Sequence, residues 1–211
     1  MKRKQEGWNI VVAGFWNRMI FTPDWVSPRL FPEPEIETLV SLLPVMPLVY
    51  RNREVEVEVS TLRLVFRARV LSGDAALLKA EGMARAVLRD LPETPVQAVG
   101  INFGFTEEYP SDLLVSVFNN VDDVQLGPVG WSIGERKLTR RLIQGDDVLN
   151  LTMTFDGKAV DFALNFHTDI TVRSDASLAL KAGRAVTMRD AGLTLLKEVY
   201  DLQLENEDNN G

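Results

Sequence analysis

His167 is the one histidine in the sequence, a residue type often recruited for general acid–base work. Residues 148–155 and 158–166 flank Asp156-Gly157, a two-residue signal for a type I′ hairpin. That register pairs Phe155 with Lys158 and places Asp146 opposite His167. A histidine beside a carboxylate is the minimum for general-base work. The sequence sets no serine and no metal next to the pair, so a solvated cross-strand contact near a sheet end is the favoured reading.

Metal and nucleotide chemistry find less support. Cysteine is absent, which removes disulfides, thiolate metal sites and cysteine nucleophiles. Acidic doublets occur at Glu107-Glu108, Asp122-Asp123 and Asp146-Asp147. Adjacent strand residues point to opposite faces, so a doublet does not supply two ligands to one ion. Gly100-Ile101-Asn102-Phe103-Gly104 lacks the lysine of a phosphate loop and the glycine spacing of a dinucleotide site. No metal and no cofactor is expected.

Arginine is the richer signal. Arg63, Arg67 and Arg69 share one strand face, with Arg51 and Arg53 just upstream, and Arg136, Lys137, Arg140 and Arg141 form a second cluster. Guanidinium groups grip phosphate and carboxylate in bidentate fashion. Joined in space, the clusters would make a nucleic-acid or phosphate-ligand groove. The favoured alternative is a solvated sheet face neutralised by Glu54, Glu56 and Glu58. Trp8, Trp16 and Trp25 crowd the first 25 residues among Phe15 and Phe21. They are candidates for a protein interface, with core as the preferred reading.

These residues need a frame. Residues 54–71 alternate apolar and charged with a phase jump near Ser60 and Thr61, read as one long strand carrying a bulge or passing between sheets. Further strands are expected at 10–21, 96–105, 113–118 and 138–143. Helices are expected at 33–43 behind Pro34, at 75–91, and at 191–204 with Asp190 as N-cap. Residues 25–34 hold Pro28, Pro32 and Pro34 and are expected to be irregular, and 205–211 to fray.

The resulting expectation is an α+β fold. A large twisted, mostly antiparallel sheet of about seven strands is covered by about three helices. Residues 1–204 form one domain, and a plan of strands leading to a closing helix runs through 8–105 and again through 113–204. Hydrophobic residues make up 45% and charged residues 25% of the 211, which suffices for a packed core.

A net charge of −7 disfavours non-specific adhesion to DNA or anionic lipid. The basic start, Lys2 to Lys4, is followed by no long apolar run, and nothing approaches the roughly 18 residues of a membrane span. A cytoplasmic chain with no membrane contact is expected. No catalytic constellation assembles, so the leading expectation is a non-enzymatic protein-binding or adaptor subunit of a cytosolic complex. It would work through a protein partner or through self-association at a sheet edge. A nucleic-acid or phosphate binder using the arginines, and an enzyme using His167 and Asp146, are the alternatives.

Overall fold

The computed structural model describes residues 1–32, 37–39, 46–172 and 175–205. Its strands are β1 (Lys2–Arg3), β2 (Asn9–Gly14), β3 (Glu37–Leu39), β4 (Leu48–Arg51), β5 (Val55–Val59), β6 (Arg63–Ala68), β7 (Val96–Glu107), β8 (Arg136–Gln144), β9 (Asp147–Phe155) and β10 (Val160–Asp169). The helices are α1 (Pro23–Leu30), α2 (Ala75–Asp90), α3 (Asp112–Ser116), α4 (Asp123–Leu126), α5 (Asp175–Ala179) and α6 (Arg184–Tyr200).

All strands join one antiparallel sheet in the order β3-β4-β5-β6-β2-β7-β10-β9-β8. β1 lies on the same side of β7 as β2, beyond the turn at Gln5–Gly7. The class is the expected α+β with a large antiparallel sheet, but the sheet has ten strands among the described residues. β1, β3 and β4 span two to four residues, too few for a period to show in the sequence.

The 54–71 segment is a hairpin, which corrects the single bulged strand. Ser60 N–H donates to the Arg63 carbonyl at 3.0 Å, closing the chain around Thr61 and Leu62. Val59 then pairs with Leu64, Val57 with Phe66 and Val55 with Ala68. Strand reversal makes the apolar phase jump, because both strands keep one buried face. Residues 113–118 are also corrected, from strand to helix. The Ser111 hydroxyl accepts from Leu114 N–H at 3.3 Å, and only Leu114 and Phe118, one helical turn apart, are fully buried.

Thr22 caps α1 in the same way by accepting from Trp25 N–H, so much of the stretch expected to be irregular is helical. Of the helix expected at 33–43, most lies outside the described residues, and 37–39 is strand. The last helix begins at Arg184, several residues before the expected cap at Asp190. It ends at Asp201, whose φ is 55° and whose N–H bonds the Lys197 carbonyl. Of the tail, Glu205 is held, its N–H donating to the Met1 carbonyl at 3.0 Å, while 206–211 lie outside the described residues.

Ile10, Ile101, Phe103, Phe162, Leu164, Leu151 and Met153 lie on one sheet face, beneath the helices. Trp8 packs edge-on against Phe103 and Phe105 at 5.1 and 5.7 Å. At Gly104 of β7 a second backbone approaches closely: a Cβ on Gly7 would sit 2.5 Å from Gly104 Cα. Among the described residues, no helix is long and apolar enough to cross a membrane.

The opposite face carries a registered polar row through nine strands. In sheet order it runs Glu37, Arg51, Glu56, Arg67, Asn9, Asn102, Asn165, Asn150, Arg141. Arg51 donates to Glu37 at 2.8 Å, and Arg67 to Glu56 at 2.7 Å. The amides then hand on in one direction. Asn150 donates to Asn165 at 3.0 Å, Asn165 to Asn102 at 2.7 Å, and Asn102 to Asn9 at 2.9 Å. Cross-strand pairs of this kind pin register.

Candidate interaction surface

The two arginine clusters do not meet. Arg63 and Arg67 stand on β6, and Lys137 and Arg141 on β8, with β2, β7, β10 and β9 between them. Five strand spacings amount to about 24 Å. Arg67 bonds both Glu56 and Glu58, and Arg63 lies 3.6 Å from Glu58. Burial lowers the Arg67 pKa, but the hydrogen bonds to Glu56 and Glu58 outweigh it and raise the net value. Arg69 donates to the Asn52 carbonyl, and Arg53 is exposed beyond the sheet.

His167 and Asp146 are not opposite one another. The hairpin loop is Gly157-Lys158, closed by Asp156 and Ala159, so Phe155 pairs with Val160 and His167 with Val148. A type I′ turn at Asp156-Gly157 would need positive φ at both residues, and only Gly157 takes it, at 90°. The Asp156 carboxylate instead accepts from Lys158 and Ala159 N–H, each at 2.9 Å. The pairing moves by two residues, an even shift, so every side chain keeps its face. His167 bonds Asp169 at 2.8 Å, and the crevice beside it is too tight to admit water. The acidic doublets divide among separate partners: Glu108 with Lys2, Asp123 with Arg136, and Asp147 with Arg184.

Trp8 and Trp16 lie in the core, the preferred reading for the N-terminal tryptophans, and Trp25 packs against it partly buried. Trp8 is 1% exposed and donates to the Gly104 carbonyl at 3.0 Å, and Trp16 is 4% exposed and donates to the Val12 carbonyl at 3.2 Å. Trp25 is half-buried against Phe21, with the Arg29 guanidinium 4.9 Å above its ring. Each indole N–H that leaves water has found a carbonyl, as burial of an indole requires.

A run of exposed apolar side chains lies elsewhere. Between β7 and β8 the chain makes an excursion that includes α3 and α4. Six of its large apolar side chains are exposed: Tyr109, Leu113, Val121, Val124, Val129 and Trp131. Trp131 is 71% exposed and Val121 94%. The excursion is anchored by Phe118 stacked near Phe155 at 5.5 Å and by the Arg136–Asp123 ion pair at 3.0 Å. In the sequence, these residues show only as apolar side chains without a period beside Gly127, Pro128 and Gly130. Sequence reasoning passed over Trp131 in favour of the three tryptophans that are buried or half-buried.

The excursion ends on β8, which closes one side of the sheet. Nothing among the described residues pairs with its outer edge. β8 is nine residues long, carries four basic side chains and no acid, and leaves Ile143 69% exposed. Arg136 is tied to Asp123, and Arg140 donates to the Tyr200 hydroxyl at 2.9 Å. Lys137 and Arg141 are exposed and make no side-chain bond among the described residues. A cleft of about 330 Å³, lined in part by Phe118, Ile133 and Leu138, separates the excursion from the start of β8.

A larger open cleft of about 670 Å³ lies between the end of α2 and α5, with Leu88, Leu91 and Leu180 among its walls and Arg85 and Glu93 among its charged groups. No family model matches the chain, and no curated protein matches it.

Proposed function

We propose that this chain is a non-enzymatic protein-binding subunit that docks its partner on the β7–β8 excursion and the adjoining β8 edge. The observation that carries the reading is the six large apolar side chains exposed within residues 109–131, next to a strand whose outer edge has no partner among the described residues. Exposed apolar side chains concentrated in one segment are a candidate partner surface. The tryptophan and tyrosine in the group are residue types enriched at binding hot spots.

Affinity capture of the full chain from its native cell, at low and moderate salt, tests the reading. The chain and a Met19→Asp control are expected to retain one stoichiometric protein that Trp131→Asp and Val124→Asp lose. Met19 is 81% exposed and lies outside the excursion. Equal retention by all four proteins, or no retained protein, would sink the proposal. Nucleic acid that co-elutes and disappears with salt would move the reading to the arginines.

A further inference from the structure

We propose that the β8 edge receives an acidic, extended segment of the partner, added to the sheet as one more strand. This rests on the protein-binding reading above and names the chemistry of what binds. The polar row across the open face supplies the first argument. Acid and base alternate from Glu37 through Arg51 and Glu56 to Arg67, the asparagines relay across the middle, and the row stops at Arg141. Every earlier charged member of the row has an opposite charge beside it in register, and Arg141 has none. A carboxylate on the next strand would complete the row.

The second argument is the charge pattern along β8. Arg136 and Lys137 form one basic pair, and Arg140 and Arg141 another, with Leu138 and Thr139 between them and Leu142 and Ile143 beyond. Neighbouring residues face opposite sides of a sheet. Each side of an added strand would therefore meet a base, an uncharged residue, a base and an apolar residue. The complement is a segment of paired acids separated by paired apolar or hydroxyl residues. Backbone bonding along a free edge supplies affinity, and alternate side chains supply choice.

The same pattern argues against a second copy of this chain. Extensive overlap of β8 with another β8 sets basic residues beside basic residues, and like charges opposite one another destabilise a strand pair. Four bases on an edge also guard it against general aggregation while leaving it open to an acidic strand. The chain as a whole is acidic, at −7. Screening confines attraction to within about 8 Å at physiological salt, so the local basic edge decides.

The probe is a capped, fluorescent peptide about as long as β8, in which pairs of glutamates alternate with pairs of threonine and valine. It is titrated by anisotropy against the full chain. Saturable binding is expected, weakened at least about tenfold by Lys137→Glu combined with Arg141→Glu. Both side chains are exposed and make no side-chain bond among the described residues, so the double variant keeps the fold. A peptide N-methylated at alternate residues keeps every charge but loses one edge of its donors, and is expected to fail against the unaltered chain. On binding, outward amides of β8 are expected to gain protection from hydrogen exchange.

Equal binding of the N-methylated peptide would reduce the contact to charge adhesion and overturn strand addition. No binding of the parent peptide, or binding indifferent to the double variant, would also overturn it. If the captured partner depends on Trp131 while the peptide fails, the protein-binding reading stands and this inference falls. If the peptide adds to β8 but capture ignores Trp131, the excursion is the part that fails.

Discussion

The Glu81 carboxylate on α2 accepts from the backbone N–H of Ala185 at 2.7 Å, capping α6 from a different helix. Its other oxygen accepts from Gly183 N–H, also at 2.7 Å. Glu81 is 2% exposed and is the one buried polar or charged residue among those described. The first N–H groups of a helix have no partner within it and carry partial positive charge, so a carboxylate satisfies both needs. Gly183, at φ 78°, offers no side chain to do this locally.

Glu81→Ala is therefore expected to lower the unfolding free energy by about 2–3 kcal/mol, because it strips one buried and one part-buried donor of a charged acceptor. Glu81→Gln, which keeps an acceptor oxygen, is expected to lose about half of that. Urea denaturation measures both. Hydrogen exchange in the alanine variant is expected to accelerate first at residues 183–187. A stability within about 0.5 kcal/mol of the parent would refute the capping role.

Two glycines predict opposite signs. A Cβ at Gly7 meets Gly104 Cα and N, each at 2.5 Å, and neither backbone atom has room to retreat. Gly7→Ala is expected to destabilise by about 2 kcal/mol or more. Gly82, within α2, has nothing within 4 Å of its virtual Cβ. Gly82→Ala is expected to stabilise by up to about 1 kcal/mol through helix propensity. Thermal melts of the two variants should move in opposite directions.

Asp156 makes a pH prediction. Backbone hydrogen bonds from Ala159 and Lys158 favour its carboxylate and hold its pKa below the usual aspartate value. A depressed folded pKa means that its contribution is fully present above the unfolded value and lost as pH falls through the folded one. The Asp156 carboxyl should titrate by NMR below an exposed model aspartate. Asp156→Asn should remove that part of the acid limb of the stability curve without altering its alkaline side. An unshifted titration would contradict the turn geometry.

The asparagine relay predicts coupling. Asn165 both donates to Asn102 and accepts from Asn150. Asn165→Ala is expected to lower stability by about 1–2 kcal/mol. In a double-mutant cycle with Asn102→Ala, the joint loss should be smaller than the sum of the single losses by about 0.5 kcal/mol or more. Strict additivity would show that the two amides do not share a bond that matters. Gly100→Ala reaches the relay from another side, since its Cβ would lie 2.9 Å from Asn165 Nδ2.

Local pattern made several elements legible. The helix expected at 75–91 occupies Ala75–Asp90. The alternation in β9 and β10 placed Leu149, Leu151, Met153, Phe162 and Leu164 together on the buried face. It did so even with the turn displaced, because faces survive an even shift of register. Residues 113–118 misled because an apolar run as short as Leu113 to Phe118 suits either period, and the cap at Ser111 settles it. The interaction surface was least legible. Trp8 and Trp131 are the same residue type, and only the packing of Phe103 and Phe105 around one of them separates core from surface.

The amino-acid order by itself determined the α+β class, the inward face of the central hairpin and the basic character of residues 136–141. Those follow from side-chain period and charge, which are local. Tertiary structure alone decided that Val148 faces His167, that Glu81 caps α6, that β6 and β8 stand far apart, and that Arg141 ends a row of otherwise partnered charges. Those are relations between residues distant in the chain, set by which strands pair and in which register.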